Sequence, residues 1–409
     1  MKPLILTLLL FVSTYLHAQT IITESVEVTC SVDSIARPSY VPASQLALRS
    51  ARRSYFEFIF TDSVPEEAKP AIKFAGRIWG SYLISDIPIR VEVRWFTFEG
   101  RNSLGSARPI GYIRSDSLAT KTDVLYPLAL GESLLNRNLN GEQADIIISI
   151  NKKHNFYFGT DGKVPEEHYD LTSLILHEIG HGVGFTASSR INEEGVGRFS
   201  KPARIYDTFL IARNGTSLTD TFLYKNPSVE LAAQLTSQQV YFNHPFVRRA
   251  NGGSYVWIYA PADFRSGSSI SHLMRSQRNT RWSQKTLMDP STAKQEVIHR
   301  PDPVALAMLS AMGWRVNFHG TVTSTIEIAQ QEVLLFPNPA IDQLQIRWPE
   351  ELPMQVQYQI TDISGRVVQT GQIAQNQRLP LNNFSTGHYH LKLQDDQFLY
   401  YGKFVVNRK

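Results

Sequence analysis

The chain has 409 residues, 42% of them hydrophobic and 19% charged, which supplies enough apolar material for large cores and excludes global disorder. Lys and Arg (41) barely exceed Asp and Glu (37), and no basic stripe carries interleaved aromatics, so nucleic acid is not an expected partner. The single cysteine, Cys30, excludes an internal disulfide.

Lys2 precedes an apolar run over residues 4–12, broken only by Thr7, and a polar stretch then leads to Ala18-Gln19. This pattern predicts a secretory signal peptide over residues 1–18. The run is shorter than the roughly 20 residues of a membrane span, and no later stretch is long and apolar enough, so no transmembrane anchor is expected. Residues 19–53 lack long periodicity and read as an N-terminal segment, with a pro-segment as one possibility. Residues 55–60 (YFEFIF) alternate as a strand does. A helix is predicted over 64–83, because Ile72, Ala75, Trp79 and Tyr82 share one face; Ser63 is its candidate cap, and Pro65 and Pro70 suit only the first turns. Residues 89–96 (IRVEVRWF) and 144–150 (ADIIISI) read as strands. A turn-rich piece at 159–162 precedes a helix that starts at Leu171, with Asp170 as its cap. Strands and helices mix without a βαβ rhythm, which makes the class α+β. Past Trp314 the composition shifts. Residues 322–331 are polar, and from Val333 onward apolar residues alternate at 344/346, 356/358/360 and 389/391/393, with turns at Ser364-Gly365 and Thr386-Gly387. A small β-sandwich is expected there. The division is therefore 54–315, a linker at 316–332, and 333–409.

Residues 177–185 read HEIGHGVGF. His177 and His181 stand four apart, so a helix puts both imidazoles on one face, within reach of one ion. Two imidazoles with a third ligand and an open position suit zinc. Glu178 lies beside the first ligand, where it can take the proton of a zinc-bound water. H-E-x-x-H is a known zinc-peptidase pattern. Gly182 and Gly184 suit a helix that ends just past His181.

The glycine three residues after His181 resembles the metzincin clan, whose pattern continues to a third histidine. Here that position is Ala187, which cannot bind metal. The chain is more similar to leishmanolysin-like metallopeptidases, in which a long insert separates the helix from the third histidine. His272 in SISHLMR, followed by Leu287-Met288-Asp289-Pro290, fits that order, and residues 303–314 resemble the helix that closes such domains. The resemblance implies a metzincin-like catalytic fold with His177, His181 and His272 on zinc and Met288 as the apolar floor. It also implies that the strand at 144–150 is an edge that pairs with extended protein or peptide substrates. His244 is the runner-up third ligand and Glu194 a distant third. Cys30 offers a thiolate that can block zinc in a latent form. Asp161 and Asp170 give a weak hint of calcium, against the plainer roles of turn residue and cap. No tyrosine lies between Met288 and Trp314 to stabilise an oxyanion.

Residues 336–340 (FPNPA), 362–368 (DISGRVV), 384–389 (FSTGHY) and the ending KFVVNRK together resemble the sorting domain of type IX secretion substrates in Bacteroidota. That resemblance implies transfer by the type IX secretion machinery to the cell surface or medium. The expected protein is a secreted zinc endopeptidase with Glu178 as general base. The rival is a surface adhesin that keeps the fold without hydrolysis. Ala187 favours the rival, and the intact Glu178 opposes it.

Overall fold

The computed structural model describes residues 21–23, 27–33, 39–45, 49, 53–98, 103–114, 123–274, 285–318, 331–348, 355–364, 366–394 and 399–408. The predicted signal peptide, most of the linker, and Gly365 lie outside the described residues.

The architecture is α+β. Its main sheet has six strands: β2 (Val28–Val32), β4 (Phe56–Phe60), β5 (Ile89–Phe96), β6 (Ser103–Pro109), β8 (Ile146–Asn151) and β12 (Ser291–Thr292). Across the sheet they run β12-β2-β6-β8-β5-β4. β4, β5 and β8 are parallel, β6 runs antiparallel to β8, and β2 runs antiparallel to β6 and parallel to β12. β5 alternates as its sequence predicts, with Ile89, Val91 and Val93 buried and Arg90, Glu92 and Arg94 partly exposed. β8 is buried at every residue, as a mid-sheet strand covered on both faces requires. This corrects the expected edge at 144–150: the strand that precedes the 171–182 helix lies between β5 and β6, and the strand next to the N-terminal segment is β6.

Helix α1 (Lys69–Tyr82) buries Ile72, Ala75, Trp79 and Tyr82 on the predicted face. It starts later than predicted, because a 3₁₀ turn at Glu66–Ala68 takes up the preceding residues. Ser63 is not its cap; its hydroxyl bonds Thr61 and the Trp95 amide. After helix α2 (Leu128–Leu135), helix α3 (Leu171–Gly182) lies buried against α1 and β6. The Asp170 carboxylate accepts the Ser173 amide at 2.8 Å and caps α3, as the sequence predicts. Gly184, at φ +135°, turns the chain just past the helix end. The stretch from α3 to His272 folds around a small sheet of β9 (Leu210–Ile211), β10 (Val240–Phe242) and β11 (Val256–Ile258). Helix α4 (Pro303–Ala311) follows β13 (Val297–Ile298).

The N-terminal segment is not a loose leader. β1 (Ile21–Ile22) pairs with β7 (Tyr112–Ile113), β2 joins the main sheet, and β3 (Tyr40–Val41) pairs with β13. The C-terminal part is all β. One sheet runs Gln331–Glu332, Leu399–Val406, Gly387–Gln394, Gln355–Asp362, Val367–Ala374, and a second joins Leu335–Phe336, Gln343–Ile346 and Leu379–Pro380.

Candidate metal centre

Helical spacing presents His177 and His181 on one face of α3, and the loop after β11 brings His272 to them. The β11 residue Ile258 bridges to Leu273, and the Tyr259 amide donates to the His272 carbonyl at 2.9 Å. The three Nε2 atoms stand 2.9, 3.2 and 3.3 Å apart. All three rings are buried.

The opposite ring nitrogens decide the tautomers. His177 Nδ1 lies 2.6 Å from the Leu287 carbonyl, His181 Nδ1 2.7 Å from that of Phe185, and His272 Nδ1 2.7 Å from that of Ser268. Carbonyls only accept, so each Nδ1 carries the proton and each Nε2 is left with a lone pair. Three lone pairs converge on one point with no donor between them. Such a triangle repels itself unless a cation stands at its centre. Nitrogens at about 2.0–2.1 Å from one tetrahedral zinc are separated by roughly 3.3 Å. The donor set therefore fits zinc in type, number and spacing. Burial pushes His177 down to about 4 and His272 to about 3, and drives His181 well below the usual imidazole range. The cluster is thus held neutral, the form that binds metal.

Glu178 is fully buried, and neither carboxylate oxygen has a hydrogen-bond partner among the described residues. Burial, then the Glu27 carboxylate, raises its pKa well above the usual range. A buried, unsatisfied carboxyl is costly, and it persists where a ligand or water is to be engaged. Gly105 on β6 makes room for it: a Cβ there falls 3.1 Å from Glu178 Oε1. Sequence reasoning missed Gly105, because the closeness depends on how β6 packs on α3.

Met288 is buried beneath α3, where a Cβ on Gly180 falls 2.6 Å from its Sδ. Two indoles grip the same helix. Trp79 Nε1 donates to the Leu176 carbonyl and Trp314 Nε1 to that of Val183, both at 2.8 Å. Ala187 is buried, and its amide donates to Ser271 Oγ at 3.0 Å, one residue before His272.

Cys30 on β2 lies beside the centre. Its Sγ and donor atoms of His177 and Glu178 all lie within 4.8 Å of one another. Burial, then Glu178, raises the thiol pKa, and Thr292 Oγ1 lies 3.4 Å from the sulfur. A buried ion pair, Lys285 Nζ to Glu296 at 2.7 Å, stands near this end of the cluster and was not legible in the sequence.

The other candidates lie elsewhere. His244 packs edge-on against Phe209, at the start of the short helix Pro245–Ala250, and Glu194 is exposed. Asp161 accepts the Tyr157 hydroxyl and the Lys163 amide, whereas Asp170 caps α3 and accepts His299 Nε2 at 2.6 Å. Neither aspartate belongs to a group of three or more potential metal ligands among the described residues.

Comparison with known families yields two matches. Residues 334–407 match the secretion system C-terminal sorting domain. Residues 55–297 match the family described as SPBPB7E8-like, a span of more than half of the chain that holds all three histidines and Glu178. The chain belongs to the SPBPB7E8-like family. No curated protein and no solved structure matches it. The sorting domain marks this SPBPB7E8-like chain for the type IX secretion machinery, and so for secretion or the cell surface. Among the described residues, no helix is long and apolar enough to cross a membrane.

Proposed function

We propose that the chain is a secreted zinc endopeptidase of metzincin-like, leishmanolysin-like type, with zinc held by His177, His181 and His272. The observation that carries this reading is the convergence of three buried Nε2 lone pairs at 2.9–3.3 Å, beside a buried carboxyl that has no partner. Zinc in such a set acidifies a water and polarises a carbonyl.

The chain's own residues supply the rest. The Leu287, Phe185 and Ser268 carbonyls lock the three rings in the ligating tautomer. Glu178 follows His177 on α3, where it takes the proton of the attacking water and passes it to the leaving amine. Met288 and the two indoles keep α3 in place.

The test is zinc content and casein hydrolysis on one preparation, beside Glu178→Ala. One zinc per chain in both, with hydrolysis reduced at least about 10²-fold in the variant, is expected. A folded protein with neither zinc nor hydrolysis overturns the reading and favours a binding protein on the same fold.

A further inference from the structure

The loop that delivers His272 turns at a residue poorly suited to turning. Ile270 is wholly buried and stands at φ +70°, in the left-handed region that favours glycine. For a side chain branched at Cβ this backbone is strained, and such strain lasts only where neighbours impose it. Two hydrogen bonds do so here. The Ile270 amide donates to the Tyr259 carbonyl at 2.8 Å, and the Tyr206 hydroxyl donates to the Ile270 carbonyl at 3.0 Å. The next residue, Ser271, accepts the Ala187 amide. The one after is the ligand itself, whose carbonyl accepts the Tyr259 amide at 2.9 Å. The turn at Ile270 thus sets the direction in which His272 leaves the chain.

Tyr206 is placed to act on both arms of the centre. It opens a 3₁₀ turn, Tyr206–Phe209, ahead of β9. Its ring is fully buried and packs on Phe185 and Phe242, with centroids at 5.3 and 5.6 Å. The Phe185 carbonyl is the acceptor that orients His181. The turn is fastened to the residues after α3: Asp207 accepts the Ser188 amide at 2.9 Å, and Arg204 donates to the Ala187 carbonyl at 3.0 Å. One side chain therefore packs on the support of His181 and bonds the support of His272, two ligands 91 residues apart.

We propose that Tyr206 is a positioning residue for the metal: its hydroxyl holds Ile270 in the left-handed conformation and so keeps His272 aimed at the other two imidazoles before any ion arrives. Without that bond the loop relaxes to negative φ, His272 swings away, and binding is weakened by the energy needed to restore the turn. The proposal rests on the three-histidine reading and not on hydrolysis.

The test measures the zinc affinity of the chain from residue 19 onward, by competition with a chromophoric chelator, and the visible spectrum of its cobalt form. Tyr206→Phe keeps the ring and removes one oxygen. Its zinc dissociation constant should rise about tenfold or more, and its cobalt bands should weaken as a nitrogen gives way to water. Adding Ile270→Gly to that variant should recover most of the affinity and the spectrum, because glycine takes positive φ without strain. Adding Ile270→Ala instead, which deletes nearly the same side chain but keeps a Cβ, should recover much less. Both double variants lose buried volume and should unfold earlier than Tyr206→Phe, so a hydroxyl that only stabilised the fold would give no rescue. Zinc bound as tightly by Tyr206→Phe as by the parent, or equal affinity in the two double variants, overturns the proposal. If Tyr206→Phe does not fold, Ile270→Gly and Ile270→Ala are compared in the parent; the glycine variant should bind zinc more tightly, and equal affinity again overturns the proposal. A folded parent chain that binds no zinc overturns the three-histidine reading as well.

Discussion

At the scale of single residues, each site imidazole is defined by a backbone carbonyl from a different part of the chain. That makes His272 unequal to a merely nearby histidine. His272→Ala removes one of three neutral donors, and zinc retention after dialysis should fall from one per chain to near zero, read by atomic emission; full occupancy in the variant removes His272 from the ligand set. Away from the centre, Glu132 and Asp145 form a buried carboxyl pair. Burial, then the Asp145 carboxylate, pushes Glu132 up to about 7 from an ordinary 4.5. The folded state therefore holds a proton that the unfolded chain releases from about pH 4.5 upward. This contribution is complete below that pH and is lost as pH rises toward 7, on the order of 2 kcal/mol. Glu132→Gln keeps the bond from the Leu139 amide and should flatten stability between pH 4.5 and 7 in urea titrations. The histidine pair and Glu178 were legible because side-chain spacing alone states them. His272 needed the resemblance, since 91 residues separate it from His181. Gly105 and the Lys285–Glu296 pair carried no signal, because their meaning exists only once distant strands are packed.

At the scale of elements, α3 is positioned by what holds it as much as by its own sequence. Its indole partners come from α1 and from just past α4. Trp79→Phe keeps most of the apolar volume but leaves the Leu176 carbonyl buried without its donor. A loss of about 1–3 kcal/mol in chemical unfolding is expected, with reduced zinc affinity because His177 is the next residue. An unchanged midpoint shows that the bond contributes nothing. Periodicity gave α1, α3, β4 and β5 nearly in register, since one buried face writes itself into the spacing. It misjudged the start of α1, where local turn geometry competes, and the place of β8, because a strand's order within a sheet is not written in the strand. β2 was invisible for a related reason: five residues of mixed polarity become a strand because β6 on one side, and Gly267 with residues 290–292 on the other, offer edges.

At the scale of the whole molecule, a bound metal would join two distant stretches of the 55–297 span, helix α3 and the His272 loop. Chelation should therefore lower the thermal midpoint of the full chain, by the equivalent of about 2.7 kcal/mol when free zinc had been held at a hundred times its Kd. Readdition of zinc should restore it in a scanning calorimeter, and an unchanged midpoint means that no zinc is bound in the fold. The all-β character of the C-terminal part was legible from alternation, and its role was legible only through four short motifs read together.

The three strands of the N-terminal segment have a consequence for the order of assembly. Cys30 meets Thr292 across 262 residues of chain, and Thr29 meets Gly267 across 238. β3 likewise waits for β13. The strands at 21–41 can complete their sheets only after nearly all of the 55–297 span has been made, and pairings this distant in sequence belong to the slow, high-contact-order end of folding.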